Sequence, residues 1–542
     1  MQNEKYHLAK LICPRIVVLP NSGSRYSFAL IFIFILLINN ITFSQVQKKR
    51  SVTTLINFDR KGNQLTRFDA LGNAIDAHDG EIAYFDGTYY LYGTSYDCGF
   101  AWQNKKAPFC GFKTYSSKDM VNWTDCGFLF DAQTPVWQTR CNGNTYGCFR
   151  PHVIFNNQTK LYVLWINVYD NRVGFRVFTS KNPTGPFAEA AEPRLAVNSD
   201  MPAAGLNNGD HDTFVDDDGT AYIAYTDWRT KGTIVIEKLN ADYLSGTGMH
   251  IKAVTKGKTE APGLFKRNGI YYVTYSDPNC GYCAGTGTSY RTAPSMLGPW
   301  SEGIKISDNS CGGQPSFVST IKLDHDTVFL YGSDLWNNAA RNEALANYYW
   351  APLEFNADGS IKPMICKDTV NLAVDQFSTK KPTANVKNLD NTSGTNGFVT
   401  KCDIGKNIQR SQSFVAIRSG ILTSVSFTTF KNGATDTGLQ IEIYNADNTL
   451  KPIGKALYET ECNADSIGWA PKNLILTPKI KAVKGKGYTI VVKSGTTAGC
   501  YGFQLRQSVG IRNSVSALSV DNGTSFKQEK DKTLKFQTFI EK

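Results

Sequence analysis

Five short segments of this chain read almost alike, and their spacing constrains the fold more than any other feature. They are YLYGTS from Tyr90, YVLWIN from Tyr162, YIAYTD from Tyr222, YVTYSD from Tyr272 and FLYGSD from Phe329. Each opens on an aromatic and alternates apolar with small or polar residues, the pattern of a half-buried strand. Four follow a tight-turn signal: Asp86-Gly87, Asn156-Asn157, Asp218-Gly219 and Asn268-Gly269. Their first residues lie 72, 60, 50 and 57 positions apart, by subtraction. A hairpin recurring at roughly 40–50 residues plus insertions predicts a propeller. Five repeats predict five blades, with the first strand of each gathered at a central funnel. Acids distant in sequence can meet there.

The 542 residues suffice for two or three domains, and 12% aromatic content with frequent Gly fits a β-rich chain. Ser27 to Ile38 is apolar, follows Arg25, and is followed by small residues at Thr42 and Ser44. This reads as a signal peptide over residues 1–44, too short in its apolar run for a comfortable membrane span. It predicts a secreted or periplasmic protein with no membrane span in the mature chain. The formal charge is +11, of which Lys5, Lys10, Arg15, Arg25 and Glu4 contribute a net +3. No basic block is dense enough to suggest a nucleic-acid partner. Twelve cysteines follow the leader, an even number that predicts several disulfides. Cys141/Cys148 and Cys462/Cys500 are the pairings expected. Cys280-x-x-Cys283 lacks the second such pair that a zinc site would need.

The propeller is expected over residues 53–373. The Lys-, Thr-, Asn- and Pro-rich stretch within 374–396 reads as a linker. Beyond it, alternating segments such as LQIEIYN from Leu439 and GYTIVVK from Gly487 predict a jelly-roll-like β-sandwich over 397–542. Trp469, Tyr444 and Tyr501 are candidates there for a sugar-stacking platform, with core or edge packing as the simpler reading.

Three acids keep register with the repeated strands. Asp79, Asp210 and Glu260 lie 11, 12 and 12 residues before Tyr90, Tyr222 and Tyr272. Equivalent places in different blades converge on one end of the axis. Converging carboxylates suit glycosidic hydrolysis: one stays protonated to donate to the leaving oxygen, and another is ionised to activate water. A third raises the donor's pKa by like-charge repulsion. Tyr96, Trp102, Trp228 and Trp336 are candidate sugar-stacking walls. Asp212 is an alternative to Asp210, and Asp216 to Asp218 read as hairpin-turn residues.

From Asp76 to Phe355 the chain resembles glycoside hydrolase family 43, whose fold is a five-bladed β-propeller. The motifs that carry the resemblance are Asp210-His-Asp-Thr-Phe214-Val-Asp216-Asp-Asp218-Gly219 and Glu260-Ala-Pro262 before a Gly-Tyr-Tyr-type hairpin. The resemblance implies a base at Asp79, a pKa-modulating acid at Asp210, a general acid at Glu260 and inversion at the anomeric carbon. The chain is most similar to the branch containing exo-β-1,3-galactanases. Ala77-His78-Asp79-Gly80 stands where that branch has Ala-His-Gly-Gly, Gln314 matches its last-blade Gln, and Phe149-Arg150-Pro151 replaces its Glu-Arg-Pro. His78, Gln314, Trp228 and Trp336 are the expected substrate-binding residues. No cofactor is required on this reading and no metal ligand is assigned. His211 or His325 could face a structural cation in the axial channel, as in some relatives. The expected partner is a polysaccharide or oligosaccharide, and the expected state is a monomer. The activities left open are β-galactosidase, α-L-arabinofuranosidase and β-xylosidase. The alternative is a carbohydrate-binding propeller without catalysis.

Overall fold

A computed structural model describes residues 49–101, 107–141, 147–168, 174–197, 208–277, 285–324, 326–336, 342–376, 388–507, 514–529 and 531–542. The leader, Trp102, Cys280, Cys283 and His325 fall outside these residues. The described chain is nearly all β-structure, and its one α-helix is the short Pro135–Cys141.

Five consecutive antiparallel sheets occupy residues 78–352, four of four strands and the last of three. Each of the five look-alike segments lies on the second strand of one sheet: Thr88–Thr94, Leu161–Val168, Ala221–Asp227, Ile270–Ser276 and Thr327–Leu335. Their alternation buries apolar side chains between neighbouring sheets, as with Tyr89, Leu91, Val163, Trp165, Ile223, Val273 and Leu330. The Asp86-Gly87 and Asn268-Gly269 turns have positive φ at both residues (46° and 73°, 50° and 78°), which matches strand twist at two-residue hairpins. Asp216 to Asp218 lie in the third hairpin turn, where Gly219 N–H donates to Asp216 O.

The first strands of the sheets are His78–Phe85, Cys148–Asn156, Asn208–Val215, Glu260–Arg267 and Gln314–Lys322. Each contacts the first strand of the next sheet, and the fifth contacts the first. They therefore form a closed ring. Lys49–Ile56 pairs antiparallel with Thr369–Gln376, in register from Lys49 opposite Gln376 to Ile56 opposite Thr369. Leu55, Val370, Leu372 and Val374 of this ribbon share a core with the first, fourth and fifth sheets.

Every inner strand starts with a register shift, between His78/Glu81, Phe149/His152, Asn208/His211, Glu260/Gly263 and Pro315/Phe317. In three of them a non-glycine residue takes the left-handed conformation at the same φ of 54°: Asp79, Arg150 and Ala261. Such bulges bend a strand end and re-aim its side chains. A backbone this unfavourable for L-residues persists where the surroundings over-determine it. Gly80 completes the first bulge. A Cβ there would lie 2.1 Å from Tyr92 O, so only glycine lets the two strands close.

Residues 389–541 build one sheet of eight strands and one of six among the described residues. Both contribute to one core, with Phe414, Ile441, Ile443 and Ile490 from one sheet and Val425, Phe427, Phe503 and Phe536 from the other. The stretch expected to be a linker already carries strand at both ends, Thr369–Gln376 and Leu389–Thr392.

Among the described residues four disulfides join Cys98–Cys110, Cys141–Cys148, Cys311–Cys366 and Cys402–Cys500. The expected Cys462/Cys500 pairing is wrong. The strand carrying Cys500 pairs with Val399–Ile404, which sets Cys402 opposite Gly502 and beside Cys500. Cys462 ends a strand of the other sheet and remains a thiol. Among the described residues no helix is long and apolar enough to cross a membrane.

Candidate active site

Glu260 heads the inner strand of the fourth sheet. Its Oε1 accepts a 2.7 Å hydrogen bond from Gln314 Nε2, at the head of the fifth. Gln314 is itself oriented by Trp336, whose Nε1 donates to Gln314 Oε1 at 3.1 Å. Burial pushes the Glu260 carboxyl up to about 8. The Asp210 charge pushes the same way, against Arg150 and the Gln314 bond. At neutral pH this acid keeps its proton, the state that a proton donor needs.

Arg150, on the second sheet's bulge, connects the acids. Its Nε lies 2.8 Å from Asp210 Oδ1, and its guanidinium donates to the carbonyls of Pro315 and Ser316. Its own N–H points at Asp79 Oδ1 at 3.3 Å. Asp79 also accepts from Thr94 Oγ1 at 2.7 Å and from Tyr96 Oη at 3.0 Å. It is 6% exposed, and burial raises its pKa to about 7, against the lowering pull of Arg150 and Thr94. The structure thus brings Asp79, Asp210 and Glu260 close enough to Arg150 for all three charges to act on it.

His78 lies beneath this level. It has no exposed surface. Its nitrogens stand 3.5 Å from Asp76 Oδ1 and 3.5 Å from Asp334 Oδ1, and its ring stacks on Tyr348. Burial opposes its charge, but the flanking Asp334 and Asp76 carboxylates win and raise its pKa to about 9. Asp334 Oδ2 accepts from Asp79 N at 3.0 Å and from Ser316 Oγ. His78 was expected to touch sugar. In this geometry it supports the base-position backbone instead.

Asp212 is separate from Asp210. It is buried, 2.9 Å from His152 Nδ1, and accepts from Leu264 N. Glu81, His152 and Asp212 offer three ligand atoms within 4.8 Å of one another, so these are the described residues that could hold a cation in the ring. His211 packs against His152, with ring centroids 5.1 Å apart. Burial and the His152 charge hold its pKa well below the usual value, so it stays neutral.

Trp228 follows the third sheet's second strand and packs on Gly209, where a Cβ would lie 2.3 Å from its Nε1. It adjoins a buried cluster of Tyr96, Phe100, Phe149 and Trp336. The proposed Trp469–Tyr444–Tyr501 platform does not form, because Tyr501 is fully buried with its hydroxyl on Thr437 O. Sequence reasoning missed Asp76, Asp334, Glu81 and His152. Asp334 could have been found: it ends the FLYGSD repeat, and Asp227 ends the third repeat in the same place.

Residues 72–359, more than half of the chain, match the model of glycosyl hydrolases family 43. A beta-D-galactofuranosidase of Aspergillus niger is 26% identical over 298 residues, 53% of this chain and 82% of that protein. An arabinoxylan arabinofuranohydrolase of Paenibacillus polymyxa is 26% identical over 287 residues, 48% of this chain and 43% of its own length. Among solved structures, an exo-beta-1,3-galactanase from Clostridium thermocellum superposes over 90% of this chain and 97% of its own. Its TM-score is 0.50 and its identity 20%, a likeness of fold alone. A half-buried carboxyl with a raised pKa, facing ionisable partners in a chain with these relatives, defines an enzyme that hydrolyses O-glycosyl bonds. The chain belongs to glycosyl hydrolases family 43.

Proposed function

We propose that the protein is a secreted or periplasmic, exo-acting, inverting glycosidase of plant- or algal-type polysaccharides or their side chains. The five sheets read as the blades of a propeller over residues 53–373, and residues 397–542 as a β-sandwich. Glu260 donates its proton to the leaving oxygen. Asp79, ionised, takes a proton from the water that attacks the anomeric carbon from the opposite face. Asp210 holds Glu260 protonated by its charge and holds Arg150 in place. The observation that carries this reading is the pair of carboxyls, Asp79 buried and Glu260 half-buried, both with raised pKa values and both interacting with Arg150.

An inverting pair must stand roughly 6.5–9.5 Å apart to admit the water. The four disulfides suit an oxidising compartment. The relatives' activities direct the search to terminal galactose and arabinose residues, with xylose as the third candidate. A cation between Glu81, His152 and Asp212 would brace the ring away from the reacting atoms.

The test is a screen of aryl glycosides and oligosaccharides of these three sugars, followed by NMR. The expected first product is the inverted anomer of one sugar. Retention of configuration overturns the mechanism. Binding without turnover of any substrate makes the protein a carbohydrate-binding propeller.

A further inference from the structure

The turn Gly468–Ala470 belongs to the C-terminal region in sequence, yet it is built into the surroundings of the acids. Trp469 N–H donates to Asp97 O at 2.9 Å, and Ala470 N–H donates to Asp97 Oδ1 at 2.8 Å. Lys472 pairs with Asp97 Oδ2. On the other side Asn342 Nδ2 donates to Trp469 O at 3.1 Å and to Lys431 O at 3.3 Å. Asp97 is itself fixed, since its N–H donates to Asp76 Oδ2 at 3.2 Å. Two glycines make room. A Cβ on Gly468 would lie 2.2 Å from Asp97 Oδ1, and one on Gly99 would lie 2.5 Å from the Trp469 indole.

The indole lies against Gly99 and is only part-buried. It packs on the cluster containing Tyr96, Phe100 and Trp336. Tyr96 hydrogen-bonds Asp79, and Trp336 orients Gln314 on Glu260. The cluster that Trp469 packs on therefore reaches Asp79 through Tyr96, and Glu260 through Trp336 and Gln314. Trp228, the other part-buried indole on this cluster, comes from the third sheet beside Gly209 and Asp210.

We propose that Trp469 is a specificity-determining residue of the glycosidase pocket, stacking on a sugar ring next to the one being cleaved. The C-terminal region thereby completes the site as well as adjoining it. The chemistry fits. The indole face is flat, apolar and fixed by its neighbours before any ligand arrives, so little freedom is lost when a pyranose stacks on it. The proposal rests on the glycosidase reading.

The experiment uses the full chain. In the Glu260→Gln background, calorimetry measures binding of β-1,3-galactotriose and of arabino- and xylo-oligosaccharides, with and without Trp469→Leu or Trp469→Phe. Leucine keeps apolar bulk at the seam but removes the flat face, and phenylalanine restores one. Trp469→Leu is expected to weaken the best oligosaccharide about tenfold with an unchanged Tm, and Trp469→Phe to recover most of that. In the active enzyme, Trp469→Leu should raise KM for the oligosaccharide more than it lowers kcat, and raise it more for the oligosaccharide than for the aryl monoglycoside. Equal Kd values for Trp469→Leu and its parent overturn the proposal. So does a loss that follows Tm alone and is not repaired by phenylalanine. If the unmutated enzyme turns over no glycoside, the glycosidase reading fails while the binding series still judges Trp469.

Discussion

Gln314 donates to Glu260 across 2.7 Å, which commits that amide's N–H to the Glu260 carboxyl. The bond favours the ionised carboxylate, since it lowers the Glu260 pKa. Removing it should therefore move the alkaline limb of kcat/KM upward. Gln314→Ala is expected to shift that limb by several tenths of a pH unit or more and to retain measurable turnover. An unmoved limb would show that the bond is absent in the working enzyme.

Glu260→Gln cannot release a proton as a carboxylic acid does. The expected loss is about 100-fold or more on substrates with poor leaving groups. It should be much smaller on activated aryl glycosides, which depart with little protonation. Equal losses on both classes would remove Glu260 from the acid role.

Asp79 is the proposed base, and Gln314 is the amide shared with the galactanase branch; an amide accepts a proton only through an unfavourable tautomer. Asp79→Asn is therefore expected to abolish nearly all turnover. Added azide should restore part of it with formation of a glycosyl azide. If Asp79→Asn keeps most activity and Gln314→Ala is dead, the amide is the base.

The pH profile follows from two raised values. Asp79 must be ionised, so kcat/KM rises through about 7. Glu260 must be protonated, so it falls through about 8. The expected bell is narrow and lies between them. Tyr96→Phe deletes one of the bonds that lower the Asp79 pKa, so the acidic limb should move up. A broad plateau centred near pH 5 would contradict both assignments.

Stability should fall as pH rises from about 5 to about 9. The folded-state pKa values of Asp79, Glu81 and Glu260 are raised from 3.8, 4.5 and 4.5 to about 7, 7 and 8. The fold therefore binds protons that the unfolded chain has already released. His78, raised from 6.5 to about 9, acts in the same direction: its contribution is complete below 6.5 and lost through 9. With the folded state binding more protons, stability declines with pH. Differential scanning calorimetry should show Tm decreasing across this window. A rising Tm would overturn the protonation states.

The hairpins were legible because tight turns and period-two alternation are local. Tyr90, Tyr162, Tyr222, Tyr272 and Phe329 mark the second strand of all five sheets. The nearness of Asp79, Asp210 and Glu260 was legible because they lie 11 or 12 residues before three of those marks. Asp76 and Asp334 were not, since their importance arises from flanking His78 from positions 258 apart in sequence, by subtraction. The Cys402–Cys500 pairing depends on which strand lies beside Cys500 in the eight-stranded sheet, which spacing along the chain does not encode.

The three left-handed residues at a φ of 54° carry a carboxylate, a guanidinium and a methyl group. One backbone address, repeated around the ring, thus accepts tenants of opposite charge or none. The conformational strain belongs to the address and is borne by the neighbouring sheets, whichever side chain sits there. Catalytic equipment can then be reshuffled between sockets, a charge withdrawn from one and installed at another, while the scaffold stays the same. In such a ring the inventory of the pocket is free to drift faster than its shape.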